Sequence, residues 1–371
     1  MKKVIFIAFL LFLVPGIKAQ VRTDNPGKTK LDSLVRVNVQ PFMDAPSRMA
    51  LSIGIYKHGQ FKTYNYGETE KGSGQLPSST TIYEIGSISK TFTAMLLAQA
   101  VLDKKLNLED DIRTYLKGAY PNLAYQGRPI KIIHLANHTS GLPHDIFPDT
   151  IASMKNASLD AIVQLYDEGK ASSILKGLRQ VTLDTLPGYK VNYSNAGVQL
   201  LGLILENLYH QSYGELVKKY ITGPFNMKQT RLLFDHLSDS KYIKGYDGSG
   251  HEMPHLLFEM PGAAGGILSN VQDMLLYIRA NALEKNDAIR LAHQVTIKTD
   301  SLNGIGLCWE EVNRKNGLLE LWHSGGMPGF SSFCIVYPKQ KMAIVGLTNQ
   351  SGLQGDLSNM LRAILLGGDS K

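Results

Sequence analysis

A serine followed three residues later by a lysine can set a nucleophile and its base on one helical face, because side chains at i and i+3 are neighbours there. The chain carries three such pairs: Ser87 with Lys90, Ser173 with Lys176, and Ser238 with Lys241. Only the first follows a β-rich stretch and a glycine and opens a long apolar run, in "YEIGSISKTFTAMLLAQAV", residues 83–101. Three effects converge on that position. The start of a helix offers unpaired backbone N–H groups to an oxyanion. Its positive end and desolvation together lower a lysine pKa from about 10.4, so that the amine can accept the serine proton. A nucleophile and its base then fit within one turn. The bland alternative makes Ser87 a helix cap and Lys90 a surface lysine.

Two further segments could complete such a site. In "VNYSNAG" Tyr193 and Asn195 precede an apolar helical run; a phenol near an amine can relay a proton, and an amide can hold the lysine and a substrate carbonyl. A second Y-x-N, Tyr120 to Asn122, lies in the loop-like "GAYPNLAYQG". In "ELWHSGGMPGF" an apolar strand is expected to end in His323-Ser324-Gly325-Gly326. Glycines at a strand edge let a ligand approach the backbone, so the Gly326 N–H is a candidate second oxyanion donor beside that of Ser87.

In the order S-x-x-K, Y-x-N, H-x-G, the sequence resembles the penicillin-recognising serine hydrolases, in particular the class C β-lactamase and D-alanyl-D-alanine carboxypeptidase branch. The resemblance spans nearly the whole chain after residue 19. It includes "KIIHLANHTSGLP", "GPFNMKQT", "PGAAGGILSNVQDM" and "GIGLCWEE". It implies an α+β fold of the β-lactamase/transpeptidase type: an antiparallel sheet flanked by helices, with an inserted all-α lobe. It also implies an acyl-enzyme on Ser87, with Lys90 and Tyr193 carrying protons and Asn195 organising them. His323 would line the far wall, with Ser324, Gly325 and Gly326 as substrate-binding or oxyanion residues beside it. The chain has His323-Ser324-Gly325 where class C β-lactamases usually have K-T-G, a form that resembles carboxypeptidase and esterase members. The S-D-N signature of class A is also missing.

Two rival motifs compete with this reading. "HEMPH" at 251–255 matches the zinc-peptidase spacing, which needs His251 and His255 on one helical face, but Pro254 sits inside the would-be helix and costs about 3 kcal/mol. No metal or organic cofactor is expected. The G-x-S-x-G of lid-type hydrolases does not occur.

These residues must be positioned by larger elements. "MKKVIFIAFLLFLVPGIKA", residues 1–19, has the basic start, short apolar run and small exit residue of a secretory signal peptide, so export is expected. Its removal lowers the net charge from +7 to +4, since Lys2, Lys3 and Lys18 leave. No basic run interleaved with aromatics points to nucleic acid, and no second apolar run is long enough to span a membrane. Residues 20–371 exceed one typical domain, so two lobes with a cleft are expected: a sheet lobe from 31–103 and 255–371, and a helical lobe from 104–254.

"ALSIGIYKHGQFKTYNYG" reads as a hairpin that joins a C-terminal meander of strands around 304–312, 318–326, 330–338 and 341–349. A helix from Ser87 to about Asp103 would bury a stripe of Ile88, Phe92, Met95, Leu96 and Leu102. Cys308 and Cys334 fall on the first and third meander strands, roughly 9–10 Å apart, too far for a disulfide. The expected function is an exported serine hydrolase cleaving an amide, either a β-lactam or a D-amino-acid peptide. A carboxylesterase of the same fold and a non-catalytic binder of cell-wall fragments are the alternatives. The substrate is a small molecule or peptide, and oligomeric state is not legible.

Overall fold

The computed structural model describes residues 21–146, 171–232, 242–255, 262–314 and 317–367. Residues 1–19, where a signal peptide is expected, and the Ser238–Lys241 pair lie outside them.

The first element is a helix, Lys30–Met43, which precedes the hairpin. Thr29 and Asp32 cap its start reciprocally. The hairpin follows as Leu51–Lys57 and Gln60–Tyr66, with Lys57 opposite Gln60. His58 and Gly59 between them both have positive φ, the geometry that matches the right-handed twist of the strands it joins.

The hairpin joins the C-terminal strands, as expected: Leu51–Lys57 pairs antiparallel with Met342–Thr348. One eight-stranded antiparallel sheet results, in the order Ile297–Lys298, Asn303–Ile305, Glu310–Asn313, Leu319–Met327, Phe330–Tyr337, Met342–Thr348, Leu51–Lys57, Gln60–Tyr66. Its central strands are buried on both faces. Leu51, Ile53, Ile55, Phe333 and Ile335 pack with Val35, Val39, Leu357 and Leu361 from the Lys30–Met43 and Gln354–Leu366 helices. On the other face Phe330, Cys334 and Val336 join the larger core, which includes the Val271–Leu283 and Ser89–Leu102 helices. The fold is α+β, with helices on both faces of an antiparallel sheet.

Two expectations change. The Ser89–Leu102 helix is buried almost all round rather than along one stripe, and Leu102 is 44 % exposed. A helix enclosed by sheet, loops and other helices has no solvent face for a stripe to contrast with. The expected strand at 304–312 is broken between Asn303–Ile305 and Glu310–Asn313. Cys308 sits in that break with φ of 53°, and its N–H donates to Ala136 O at 2.9 Å, so it lies on no strand. Backbone groups at 306–308 find partners outside the ladder, which removes the need for strand pairing there. Both cysteines are buried free thiols.

Tyr83–Glu84, Ile267–Ser269 and Arg231–Leu232 form a separate three-stranded sheet. Strands this short leave no room for a legible alternation. Among the described residues no helix is long and apolar enough to cross a membrane.

Candidate active site

Ser87 is reached from the short strand Tyr83–Glu84 through Ile85 and Gly86. It sits in a 3₁₀ turn, Gly86–Ile88, and the α-helix proper begins at Ser89. Gly86 has φ of 51°. A Cβ built on it would lie 2.8 Å from the Gly326 nitrogen, and one on Gly325 would lie 2.0 Å from the Ile85 carbonyl oxygen. These contacts seat the serine turn against the Leu319–Met327 strand. Ser332 Oγ donates to Ile85 O at 2.7 Å, and Gln354 Nε2 donates to Gly325 O at 3.1 Å, fixing both backbones.

Lys90 is fully buried. Its Nζ lies 3.0 Å from Ser87 Oγ and donates to Ala264 O at 2.6 Å. Burial pushes its pKa down to about 7, against a weak opposing pull from Cys308 and Asp145. The Ala264 carbonyl is held by its own neighbours: Thr93 Oγ1 donates to Ala263 O at 2.7 Å, and Ala263 N donates to Gln199 Oε1 at 3.0 Å.

Tyr193 comes from the turn before the Asn195–Tyr209 helix. The centre of its ring is 4.8 Å from Lys90 Nζ. Burial raises its pKa, and the adjacent Ser87 hydroxyl pulls it the other way. Ser194 caps the helix, accepting from Gly197 N and donating to Pro143 O.

Asn195 departs from expectation, because its hydrogen bonds do not reach Lys90. Its N–H donates to His144 O at 2.8 Å and its amide to Asp145 Oδ1 at 3.2 Å. The 144–145 segment lies alongside the start of this helix and takes both donors. Asp145 also pairs with His144, whose pKa it raises.

His323 to Gly326 lie at the end of the Leu319–Met327 strand, as expected, with only Met327 beyond them still paired to Phe330–Tyr337. His323 Nδ1 contacts Ser324 O at 2.7 Å; a carbonyl only accepts, so the proton is on Nδ1 and Nε2 carries a lone pair. Burial, and then Lys90, hold the His323 pKa at about 3, so the imidazole is neutral near pH 7. Ser324 pairs with Phe333 and makes no side-chain hydrogen bond to the other site residues.

Four groups that the sequence reading did not single out belong to these surroundings. They are the Ala264 carbonyl, Asp145, His138 and Glu310, whose carboxyl burial pushes up to about 7. His138 and Ala264 lie inside stretches already noted as family-like, yet no spacing rule marks either. At 251–255 there is no helix: Glu252–Met253 is a short strand paired with Gly245–Tyr246. His251 contacts Asp247 and His255 contacts Glu84, so the two histidines serve different carboxylates. Of the other S-x-x-K pairs, Ser173 and Lys176 lie within the Ala171–Leu178 helix.

The family model for Beta-lactamase matches residues 35–369. The protein flp of Staphylococcus aureus (strain MW2) is 26 % identical over 345 residues, covering 88 % of this chain and 64 % of that protein. The chain thus spans under two thirds of the length of those staphylococcal relatives. A β-lactamase of Providencia stuartii is 26 % identical over 353 residues, covering 84 % of this chain and 85 % of that one. Among solved structures, a β-lactamase/D-alanine carboxypeptidase from Pseudomonas syringae superposes with a TM-score of 0.78 at 22 % identity, covering 92 % of this chain and all of that one. A class C β-lactamase superposes with a TM-score of 0.79 at 22 % identity, covering 94 % and 99 %. The fold is therefore the β-lactamase/transpeptidase fold, and the chain belongs to the Beta-lactamase family.

Proposed function

We propose that this protein is an exported serine hydrolase that cleaves an amide or ester through an acyl-enzyme on Ser87. The carrying observation is the 3.0 Å contact between Lys90 Nζ and Ser87 Oγ, with the lysine fully buried and its pKa near 7. A neutral amine can accept the serine proton along that contact as Oγ attacks a carbonyl carbon. The resulting oxyanion would take hydrogen bonds from the N–H groups of Ser87 and Gly326, which the packing of Gly86 holds close together. The raised pKa of Tyr193 keeps its phenol protonated, which favours Lys90 as the base and Tyr193 as the proton donor to the leaving group. Water then releases the acyl group by the reverse path. Asn195 would act on the site through Asp145, while His323, Ser324 and Gly325 would border the substrate.

Neutral His323 offers no permanent positive charge to a substrate carboxylate, which favours an ester or neutral amide over an anionic β-lactam. A non-catalytic binder has no use for a lysine desolvated beside a serine, given what burying an amine costs. The first nineteen residues support export. Turnover of a p-nitrophenyl ester and a chromogenic β-lactam, measured side by side with Ser87→Ala as control, tests the reading: the ester should be hydrolysed and the variant inert. Turnover that persists in Ser87→Ala would contradict it.

A further inference from the structure

The turn that carries Tyr193 is gripped at both ends by one residue. Asn192 N donates to His138 O at 2.7 Å, and Ser194 N donates to His138 Nδ1 at 3.3 Å. Between these bonds the His138 ring lies against the Tyr193 ring, with centroids 4.4 Å apart. His138 is only 2 % exposed. It adopts φ of 60°, a backbone conformation that asparagine and histidine tolerate better than most residues. Its pKa is depressed to about 3, chiefly by burial, so near neutral pH the ring is uncharged. Because Nδ1 accepts from Ser194 N, the ring proton is on Nε2. The neighbouring backbone extends the grip: Thr139 O accepts from Gly188 N at 2.7 Å, and Pro143 O accepts from Ser194 Oγ at 2.7 Å.

Resting on the Ser87 reading above, we propose that His138 is a positioning residue for Tyr193, setting the phenol against Ser87 and Lys90 through its Nδ1 acceptor and its ring. It exchanges no proton itself. The ring blocks one side of the Tyr193 ring, and the two backbone bonds fix the turn from which that side chain projects. A phenol free to rotate away would lose proton transfer to the leaving group while substrate binding stayed the same.

A double-mutant cycle separates this role from a purely structural one. His138→Gly removes the side chain without straining the left-handed backbone. It should lower kcat for an alkyl ester, whose alcohol leaving group needs a proton, about tenfold with KM within about twofold, a fraction of the roughly 10²–10⁴ that a positioned acid or base contributes. In the Tyr193→Phe background the same change should cost less than about twofold, because the group being positioned is already gone. His138→Asn, whose Oδ1 can accept from Ser194 N but which lacks the ring, should recover part of the lost kcat, whereas His138→Gln should not. Equal losses in both backgrounds would overturn the proposal. So would an unchanged kcat in folded His138→Gly, or failure of all three variants to fold when Tyr193→Phe folds. Ser87→Ala keeps the two readings apart: if it remains active the hydrolase reading fails, and if it is dead while His138→Gly matches wild type only this inference fails.

Discussion

Gly86 and Gly326 meet backbone to backbone: a Cβ on Gly86 would stand 2.8 Å from the Gly326 nitrogen and 2.9 Å from its oxygen. Neither atom is the tip of a flexible chain, so neither can step aside. Gly86→Ala would therefore both clash and strain φ, pushing the Ser87 turn off the strand. The expected result is a loss of kcat on the order of 10²–10³, comparable to removing one oxyanion donor, with a stability loss of about 1–3 kcal/mol. At Gly326 the nearest neighbour is the Gln354 side-chain amide, at 2.4 Å, which can swing away. Gly326→Ala should accordingly cost less than a tenth as much in kcat. Steady-state kinetics and urea unfolding of the two variants check this, and a milder effect at Gly86 would contradict it.

Lys90 should limit activity from the acid side. With its pKa lowered to about 7, the amine becomes protonated as pH falls through 7 and can no longer accept the serine proton. The profile of kcat/KM should therefore fall below about pH 7. His323 and His138, held near pKa 3, should add no second step between pH 5 and 8, and Glu310→Gln should leave the limb in place although that carboxyl also lies near 7. Lys90→Arg should be inactive at every pH in that window, because a guanidinium stays charged.

The same burial makes Lys90 a cost to stability. A lysine whose folded pKa lies below its unfolded value binds fewer protons in the native state between the two values, so unfolding free energy rises with pH across that window, here from about 7 to 10.5. The penalty is complete below pH 7 and gone above 10.5. Lys90→Met fills similar volume without a charge and should raise Tm by a few degrees at pH 6, on the order of 1–2 kcal/mol, with the advantage shrinking towards pH 10. Calorimetry at both pH values measures this. A lower Tm for Lys90→Met at pH 6 would show that the lysine stabilises the fold.

Cys308 and Cys334 should react with a thiol reagent only after unfolding. Both are buried, and burial pushes each pKa up to about 12. Two equivalents of label in denatured, unreduced protein and none in native protein is the expected count. Rapid labelling of native protein would contradict the burial.

What the sequence disclosed followed from how local each signal is. Ser87 and Lys90 were legible because their relation is contained in one turn, and the 50–67 hairpin because His58-Gly59 sits between two β-rich runs. The partner of Asn195 was not legible, since Asp145 lies 50 residues away in a loop with no periodicity. His138 was hidden for the same reason: its value lies in contacts with 192–194 that only the fold creates. The break at Cys308 was missed because "GIGLCWEEV" alternates well enough for a strand, while the competing backbone partner, Ala136 O, is remote in sequence. The Lys30–Met43 helix did carry a signal, the reciprocal Thr29–Asp32 cap with Val35 and Val39 after it, and Pro41 in its last turn obscured it.

The claim on which the account stands is that Ser87 is the nucleophile. Wild-type protein is incubated with a fluorophosphonate, digested, and the adduct mapped by mass spectrometry, with Ser87→Ala treated in parallel. One stoichiometric label is expected on the peptide containing Ser87, formed faster above pH 7 than below it, and none in the variant. A label on any other peptide, or an equal label in Ser87→Ala, would contradict it.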